Sequence, residues 1–295
     1  MLPFFGGMVS NVARCSALLI FLAGWFSPAG MAASVPLSFS ASFGATDIQT
    51  RFIPVPRGTI TIIIDDIGYR HTDAMALSLP PEVTFSVLPD TPLANELALS
   101  GHAQGRDIML HLPMEAHSDR PLGPAALTSA MYPEAISKTT RQALQSLPFA
   151  IGVNNHMGSR LTEQWQPMQA LMRTLKAHDK FFIDSRTTIG SVAEQAAVQA
   201  GVPVARRHVF LDNQLSESYM QSQLSQLIRL AKQRGSAIGI AHPHPQTIRF
   251  LNKALSTVRQ HGVILKPVSQ LMHQPVIPEP EYARQVASAP ATAPR

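Results

Sequence analysis

The chain has 295 residues, of which 45% are hydrophobic and 15% are charged, a composition typical of globular proteins. It is long enough for one large domain or two small ones, and its composition excludes disorder of the whole chain. The formal net charge is +5, but the Lys and Arg residues are scattered without a run of three, so the sequence does not predict a nucleic-acid partner.

The N-terminal segment indicates where the protein works. Arg14 precedes the uncharged run CSALLIFLAGWF, which is followed by Ser27, Pro28 and the small residues AGMAA. This run is shorter than the roughly 20 apolar residues of a membrane-spanning helix, so we expect residues 1–33 to be a secretory signal peptide whose cleavage leaves no transmembrane anchor. The expected location of the mature protein is the bacterial periplasm.

The single cysteine, Cys15, lies inside this predicted signal peptide. The mature chain is therefore expected to contain no disulfide and no thiolate metal site. Imidazole and carboxylate groups remain as the strong metal ligands, and these suit Zn²⁺ or other first-row divalent ions.

Two segments flank the expected core domain, which spans residues 58–274. Residues 34–57 show little periodicity and predict a linker, whereas residues 275–295 are rich in Pro and Ala and predict a disordered tail. An envelope protein that binds this tail is a possible partner, and a free end is the alternative.

Strand-like apolar runs recur along the core domain. They are TITIII (59–64), VTFSVL (83–88), DIML (107–110), AIGV (150–153), FFI (181–183), VPVA (202–205), AIGIA (237–241) and VIL (263–265). Helical spacing occupies segments between and after them, at 133–147, 164–178, 191–200, 217–234 and 245–261. This alternation predicts an α/β fold with parallel strands covered by helices, and the number of units favours a distorted or incomplete (β/α) barrel of about seven strands.

Polar residues follow five of these runs, where the strands of a barrel present their carboxyl ends. They are Asp65 and Asp66 after the first run, His111 after DIML, Asn154, Asn155 and His156 after AIGV, Asp184, Ser185 and Arg186 after FFI, and His242 and His244 after AIGIA. Because the carboxyl ends of parallel strands lie on one rim, we expect an active site there.

These residue types suit metal-assisted hydrolysis. Adjacent carboxylates repel each other when both are ionised, and a divalent cation is the usual way to hold that charge density. One aspartate can bind the ion while its neighbour takes a proton from water. An aspartate with two histidines and an open fourth position is an ordinary zinc site.

Each motif also has a simpler interpretation. The adjacent aspartates suit a helix cap or a turn, the Asn-Asn and Gly positions of NNHMGS suit a tight turn, and the prolines of HPHP suit a rigid loop. The two histidines of HPHP point apart on an extended chain, so only one of His242 and His244 is expected to face the site. The sequence leaves open which one it is.

The motifs IIIDDIG, HLPME, NNHMGS, FIDS and IAHPHP occur in this order between Ile62 and Pro245. Together they resemble the divergent polysaccharide deacetylase family, a branch of the polysaccharide deacetylase superfamily found in bacterial envelopes. The resemblance implies a distorted (β/α) barrel that binds a divalent metal, with Zn²⁺ favoured. By analogy with the superfamily it also implies removal of acetyl groups from N-acetylated sugars, with peptidoglycan among the candidate glycans.

The same resemblance implies the ligand set. The first aspartate of the opening motif, Asp65, corresponds to the catalytic base, and Asp66 corresponds to a metal ligand. The superfamily's second motif is His, three residues, His, and here it ends in Glu115, a departure from the pattern. We favour Asp66, His111 and His156 as metal ligands, with Glu115 as the alternative.

The last superfamily motif places a general acid at His242. Asp184 resembles the aspartate that orients this histidine. Asn155, Arg186 and His244 also lie on the rim, and we expect them to contact the substrate.

A second function from another class remains open. The chain could be a catalytically inactive binding or regulatory protein of the cell envelope that keeps a metal for structure, and a third possibility is a hydrolase of another ester or amide. A metal closed in by four protein ligands would indicate a structural ion, whereas an open position would indicate an enzyme.

Overall fold

The computed structural model describes residues 56–272. The predicted signal peptide (1–33), the tail (275–295) and all of the predicted linker except its last two residues lie outside the described residues. Within the described part, no helix has the length and apolar character needed to cross a lipid bilayer.

The nine strands that residues 56–272 form belong to one sheet, and every neighbouring pair in it is parallel. They are β1 (Thr59–Ile67), β2 (Thr84–Val87), β3 (Ile108–Met114), β4 (Ala150–Met157), β5 (Phe181–Asp184), β6 (Val204–Arg206), β7 (Val209–Phe210), β8 (Ser236–Ala241) and β9 (Ile264–Leu265).

Helices fill most of the connections between the strands. The α-helices are α1 (Ala94–Ala103), α2 (Pro133–Ser146), α3 (Trp165–Ala177), α4 (Ala193–Ala200), α5 (Glu217–Arg234), α6 (Pro245–Leu255) and α7 (Val268–Met272). Three 3₁₀ helices accompany them at His71–Ser78, Leu161–Glu163 and Val258–His261. The capping groups match the sequence at α5, where the Ser216 hydroxyl accepts a hydrogen bond from the Tyr219 N–H and Gly235 ends the helix.

The strands follow the order β6-β5-β4-β3-β2-β1-β8-β7, and β9 adds to the first residues of β1. Although β6 and β7 lie at opposite edges of this order, only Arg207 and His208 separate them in the chain. Three Cα–Cα steps span at most about 11 Å, so the two edges must approach each other and the sheet must curl. The predicted α/β class and incomplete (β/α) barrel are therefore confirmed, with nine strands rather than about seven.

Two hydrophobic clusters occupy the two faces of the curled sheet. The larger cluster joins strands to helices α1–α6 and includes Ile62 and Ile64 of β1. The smaller cluster contains side chains from strands and from α7 alone, including Ile63 of β1 and Ile240 of β8, so it is the interior of the barrel. Side chains of a strand alternate between these inner and outer faces.

Each of the eight apolar runs became a strand, and five strands extend past the carboxyl end of their run, namely β1, β3, β4, β5 with Asp184 and β6 with Arg206. β1 includes Asp65 and Asp66, β3 includes His111, and β4 includes Asn154. β7, with two residues, and the helices α1 and α7 were not predicted. Most of the predicted site residues thus lie within the last part of the strands, where alternation determines their direction, whereas Arg186, His242 and His244 follow a strand.

Candidate metal centre and active site

Alternation along the strands decides which polar side chains enter the barrel. Asp65 lies two residues after Ile63, an inner residue, and therefore points inward with it. The same two-residue step leads from inner residues on four other strands to inward polar residues, namely from Met109 to His111, from Ile183 to Ser185, from Phe210 to Asp212 and from Ile240 to His242. The inner face of the barrel is thus apolar in the middle of the strands and polar at their carboxyl ends.

Asp66 reaches the same site through an irregularity in β1. The register between β1 and β2 shifts between Ile64 and Ile67, and the backbone of Asp66 has φ 59°, in the left-handed region that few residues other than glycine adopt. A bulge of this kind re-aims a side chain that regular alternation would direct outward. Both neighbouring aspartates consequently face the interior of the barrel.

Three potential ligand atoms converge beside this bulge. Asp66 Oδ1 lies 3.1 Å from His111 Nε2 and 2.8 Å from His156 Nδ1. The two ring nitrogens are 3.2 Å apart. In the described part of the chain, these atoms make Asp66 of β1, His111 of β3 and His156 of β4 a group that could hold a metal ion.

The donor set fits a divalent cation. Asp66 Oδ1 is buried and makes no hydrogen bond of regular geometry, although two imidazole nitrogens lie within 3.1 Å of it. A cation between these atoms would satisfy all three of them. Tetrahedral ligands at about 2.1 Å from an ion lie about 3.4 Å apart, close to the observed spacing. Burial acts to raise the pKa of Asp66, but the imidazoles of His111 and His156 outweigh it and hold that pKa well below its usual range. Asp66 is thus a carboxylate, as a metal ligand must be.

Glu115, the alternative ligand, lies outside this group. Its Oε2 accepts a hydrogen bond from the Ser129 N–H, and its Oε1 is 3.6 Å from Arg160 Nε. The hydrogen bond from Ser129 lowers the pKa of Glu115. The structure therefore brings the favoured set together, and Glu115 instead ties neighbouring loops to one another.

Asp65 stands next to the ligand group without belonging to it. Its Oδ1 accepts a 2.8 Å hydrogen bond from Asn154 Nδ2, and its Oδ2 lies 3.7 Å from His111 Nε2. The residue is 2% exposed, and burial raises the pKa of its carboxyl group. A buried carboxylate with a raised pKa beside a metal site suits a proton acceptor.

The predicted role of Asp184 as the partner of His242 is wrong, and Asp212 occupies that role. Asp184 directly follows the inner residue Ile183, so its side chain points outward, where it accepts hydrogen bonds from the Ser191 hydroxyl and the Arg186 N–H. Asp212 Oδ1 lies 3.0 Å from His242 Nδ1.

His242 carries a proton because of this partner. Burial alone would lower its pKa, but the hydrogen bond and negative charge of Asp212, helped by the charges of Asp66 and Asp65, raise the pKa of His242 to about 9. The question left open by the HPHP motif is answered by these interactions, since His242 is the histidine that faces the carboxylates. His244 precedes α6, and its N–H donates to the His242 carbonyl.

The other two predicted substrate contacts are engaged within the protein. Asn155 is 1% exposed and points outward, where its side chain accepts from the Ser185 N–H and donates to the Met157 carbonyl. This correction follows from alternation, because neighbouring residues on a strand face opposite sides. Arg186 donates to the carbonyls of Ile189 and Ser191, at 3.4 Å each, so its guanidinium lies against its own loop.

Sequence reasoning missed Asp212 and Arg207, and it placed Asn154 and Ser185 on the rim without giving them a role. Asp212 follows a strand of two residues, too short to produce a recognisable pattern. Asn154 was placed on the rim but given no role, although it contacts both Asp65 and His111. Arg207 lies at the junction of the sheet edges, donates to the carbonyls of Ser185 and Arg186, and stacks 3.7 Å from the centre of the Phe210 ring.

Fold and site together define an incomplete (β/α) barrel with a candidate Asp-His-His metal centre at its carboxyl rim. The chain belongs to the divergent polysaccharide deacetylase family, whose model matches residues 62–272. The expected resemblance is thereby confirmed.

Comparisons with individual proteins agree with this membership. The chain is 37% identical to the uncharacterized protein YibQ of Escherichia coli K12 over 225 residues, which cover 76% of this chain and 70% of the relative. It is 34% identical to an uncharacterized protein of Haemophilus influenzae Rd over 248 residues, covering 84% and 88%. The crystal structure of the uncharacterized protein ATU2773 from Agrobacterium tumefaciens C58 has the same fold, with a TM-score of 0.70, 22% identity and coverage of 72% of this chain and 89% of that one.

Proposed function

We propose that this protein is a metal-dependent hydrolase of the bacterial cell envelope that removes acetyl groups from an N-acetylated glycan, a reaction at a C–N bond other than a peptide bond. The observation that carries the proposal is the convergence of the buried Asp66 Oδ1 with two imidazole nitrogens, beside a separate buried carboxylate on Asp65. This arrangement supplies both a cation site and a proton acceptor within one rim.

Asp66, His111 and His156 are the residues that would hold the cation, and Zn²⁺ is the ion that we favour for this ligand set. When bound, such an ion supplies Lewis-acid activation of the attacking water and of the amide carbonyl. Three protein ligands leave a coordination position open, which favours a catalytic ion over a structural one.

The chain's own residues account for the proton transfers. Asp65 accepts a proton from the attacking water as its oxygen bonds to the carbonyl carbon. His242, held as a cation by Asp212, then donates a proton to the leaving nitrogen as the C–N bond breaks. The products are acetate and a free sugar amine. Asp65 afterwards loses its proton to solvent, and His242 regains one.

The rim also carries exposed aromatic side chains that suit a sugar polymer. Tyr132, which is 79% exposed, immediately precedes α2, and Trp165, which is 39% exposed, begins α3. In a (β/α) barrel the helices begin on the side of the strands' carboxyl ends, so both rings belong to the face of the metal centre. Flat apolar rings with a polar edge are suited to contact the faces of sugar rings.

The periplasm is the proposed location, and the argument for it is the apolar run of residues 15–26 followed by small residues. Peptidoglycan is the glycan of that compartment that we favour as substrate. An inactive envelope-binding protein is the alternative outcome of the experiment below, because family membership by itself does not establish a reaction.

The test combines metal analysis with acetate release. Purified protein is loaded with Zn²⁺, its metal content is measured by elemental analysis, and acetate is assayed with N-acetylated glucosamine oligomers and with peptidoglycan fragments. We expect one ion per chain and acetate release in the wild type, with the ion kept and the release abolished in Asp65→Asn.

Asp66→Asn is the matched variant, because it makes the same chemical change at the neighbouring residue and should remove the ion as well as the activity. Metal binding without acetate release from any glycan would reject the enzyme in favour of the binding protein. Undiminished activity in Asp65→Asn would reject the assigned base.

A further inference from the structure

We infer that Asn154 is a positioning residue that couples the proton acceptor to the metal centre, by holding Asp65 with one end of its amide and His111 with the other. The inference rests on the proposed function for its catalytic half. Its metal-binding half concerns the chain's own ligand residues and can be tested without any substrate.

Asn154 lies at the centre of the inner face. It is fully buried on β4, directly opposite His111 in the register of β3 and β4. The alternation of β4 points it into the barrel together with His156, the third ligand, two residues further along. Its amide is therefore fixed by the sheet itself rather than by a loop.

Both ends of the Asn154 amide have their hydrogen-bonding capacity filled. Oδ1 accepts from His111 Nδ1 at 2.8 Å and from the Ser86 hydroxyl. Nδ2 donates to Asp65 Oδ1 at 2.8 Å and to Ser185 Oγ at 3.3 Å. The ionised carboxylate of Asp65 can only accept, so a rotation of the amide by half a turn would set its oxygen against Asp65 Oδ1 and lose that bond. Asp65 therefore fixes which end of the amide faces His111.

This orientation has a consequence for His111. Because the amide oxygen can only accept, His111 Nδ1 carries a proton, so the nitrogen left to bind a metal through its lone pair is Nε2. His111 Nε2 is the nitrogen that faces Asp66 at 3.1 Å. Asn154 thus selects the tautomer that a metal requires, a task usually performed by a carboxylate or a backbone carbonyl.

The same orientation has a consequence for Asp65. The amide N–H fixes one carboxylate oxygen, Oδ1, and leaves Oδ2 directed toward His111 Nε2 at 3.7 Å. Asn154 therefore sets the position of the proton acceptor relative to the ligand group. Neither a carboxylate nor a hydrocarbon side chain at this position could hold both partners, because only an amide offers a donor at one end and an acceptor at the other.

Two substitutions separate the two tasks. Asn154→Asp keeps an oxygen for His111 but replaces the donor to Asp65 with an acceptor, so we expect metal affinity within about threefold of the wild type and a fall in kcat of about 100-fold or more. Asn154→Leu removes both contacts in a similar volume, so we expect metal affinity to fall about 10- to 100-fold as well. Asn252→Asp makes the same chemical change on α6, where Asn252 contacts Ser78, and should change neither quantity.

Three measurements on the full-length protein decide the matter. Zn²⁺ affinity is measured by competition with a chromophoric chelator, kcat and KM are measured by acetate release, and ¹⁵N NMR of Zn²⁺-loaded protein identifies which nitrogen of His111 keeps its proton. Thermal unfolding of each variant confirms that it is folded, and Ser86→Ala, which removes one support of the amide, should give a smaller loss of kcat than Asn154→Asp.

The results separate failure of this inference from failure of the proposed function. If the wild type releases no acetate, the proposed function fails, while Zn²⁺ affinity and the tautomer still test the metal-binding half. Wild-type Zn²⁺ affinity in Asn154→Leu, or a His111 that keeps its proton on Nε2 in the Zn²⁺-loaded protein, would overturn that half. Wild-type kcat in Asn154→Asp would overturn the catalytic half.

Discussion

Asp212 holds His242 at two points, because its Oδ2 accepts the His242 backbone N–H at 2.8 Å and its Oδ1 lies 3.0 Å from Nδ1 of the ring. The Thr247 hydroxyl also donates to Oδ2, at 2.9 Å. One buried carboxylate therefore fixes the backbone, the orientation and the charge of the imidazole.

The first prediction concerns the pH dependence of turnover. The pKa of His242 is raised to about 9, so its acidic form is present at lower pH and is lost as the pH rises through that value. Asp212→Asn keeps the shape of the side chain but removes the negative charge that stabilises the protonated ring of His242 against the effect of burial. The pKa of His242 should therefore fall. In profiles of kcat/KM against pH between 6 and 10, the alkaline limb should move at least about one unit toward neutral pH.

His242→Gln is the companion variant, since it lacks the titrating ring and should eliminate this limb together with most of the activity. An alkaline limb that stays in place in Asp212→Asn would show that another group donates the proton.

The second prediction concerns stability in metal-free protein. The pKa of His242 is raised from 6.5 to about 9 in the folded state, so its contribution to the free energy of unfolding is complete below about pH 6.5 and is lost as the pH rises toward 9. That contribution is at most about 3–4 kcal/mol. The destabilisation caused by Asp212→Asn should thus be greater at pH 6 than at pH 9.5, measured by urea unfolding in the presence of a chelator.

Asp119→Asn provides the control for this comparison, because Asp119 is exposed and the same chemical change there removes no buried partner. A destabilisation by Asp212→Asn that is equal at both pH values would mean that Asp212 acts through its neutral hydrogen bonds alone.

The third prediction separates the two ligand assignments. His156→Ala removes one of the three converging atoms and should lower Zn²⁺ affinity by at least about 10-fold, whereas Glu115→Gln should leave that affinity within about threefold of the wild type. Isothermal titration of metal-free protein gives both values. A large loss of affinity in Glu115→Gln would require Glu115 to move into the site when the ion binds.

The fourth prediction concerns the rim aromatics. Trp165→Ala should raise KM for long glycan oligomers by about 2- to 10-fold with little change in kcat, because an aromatic contact contributes about 0.5–1.5 kcal/mol. Val198, which is 52% exposed on α4, gives a matched control, since Val198→Ala also removes an exposed apolar side chain. Equal KM values for Trp165→Ala and the wild type would place the glycan elsewhere on the rim.

Most of the fold could be predicted from local sequence patterns, because most of the strands are long enough to form recognisable apolar runs. The apolar runs are continuous because both faces of the parallel strands are buried, as with Ile62 and Ile63 of β1. β7 was not predicted, because a strand of two residues is too short to show a hydrophobic pattern. The position of β9 beside β1 depends on contacts between distant parts of the chain, which a local pattern does not contain.

The candidate site was predicted less completely than the fold, and side-chain direction accounts for the differences. Asp184 and Asn155 occur in the expected motifs but occupy outward positions, whereas Asp212 occupies an inward position outside any recognised motif. Asp66 shows the opposite effect, because a backbone irregularity brings inward a side chain that simple alternation would place outside. The sequence motifs therefore predicted where the site lies. Which side chains enter it depends on the alternation along the strands and on the bulge at Asp66.

The two-residue connection between β6 and β7 limits how far the edges of the sheet can separate. β6 pairs with β5, which ends at Asp184, on one edge of the sheet. β7 lies at the opposite edge and is followed by Asp212. Arg207 reinforces this connection through its hydrogen bonds to the Ser185 and Arg186 carbonyls, both at 2.7 Å. The length of this link consequently limits the width of the opening, and a longer link would let the two edges of the sheet move apart.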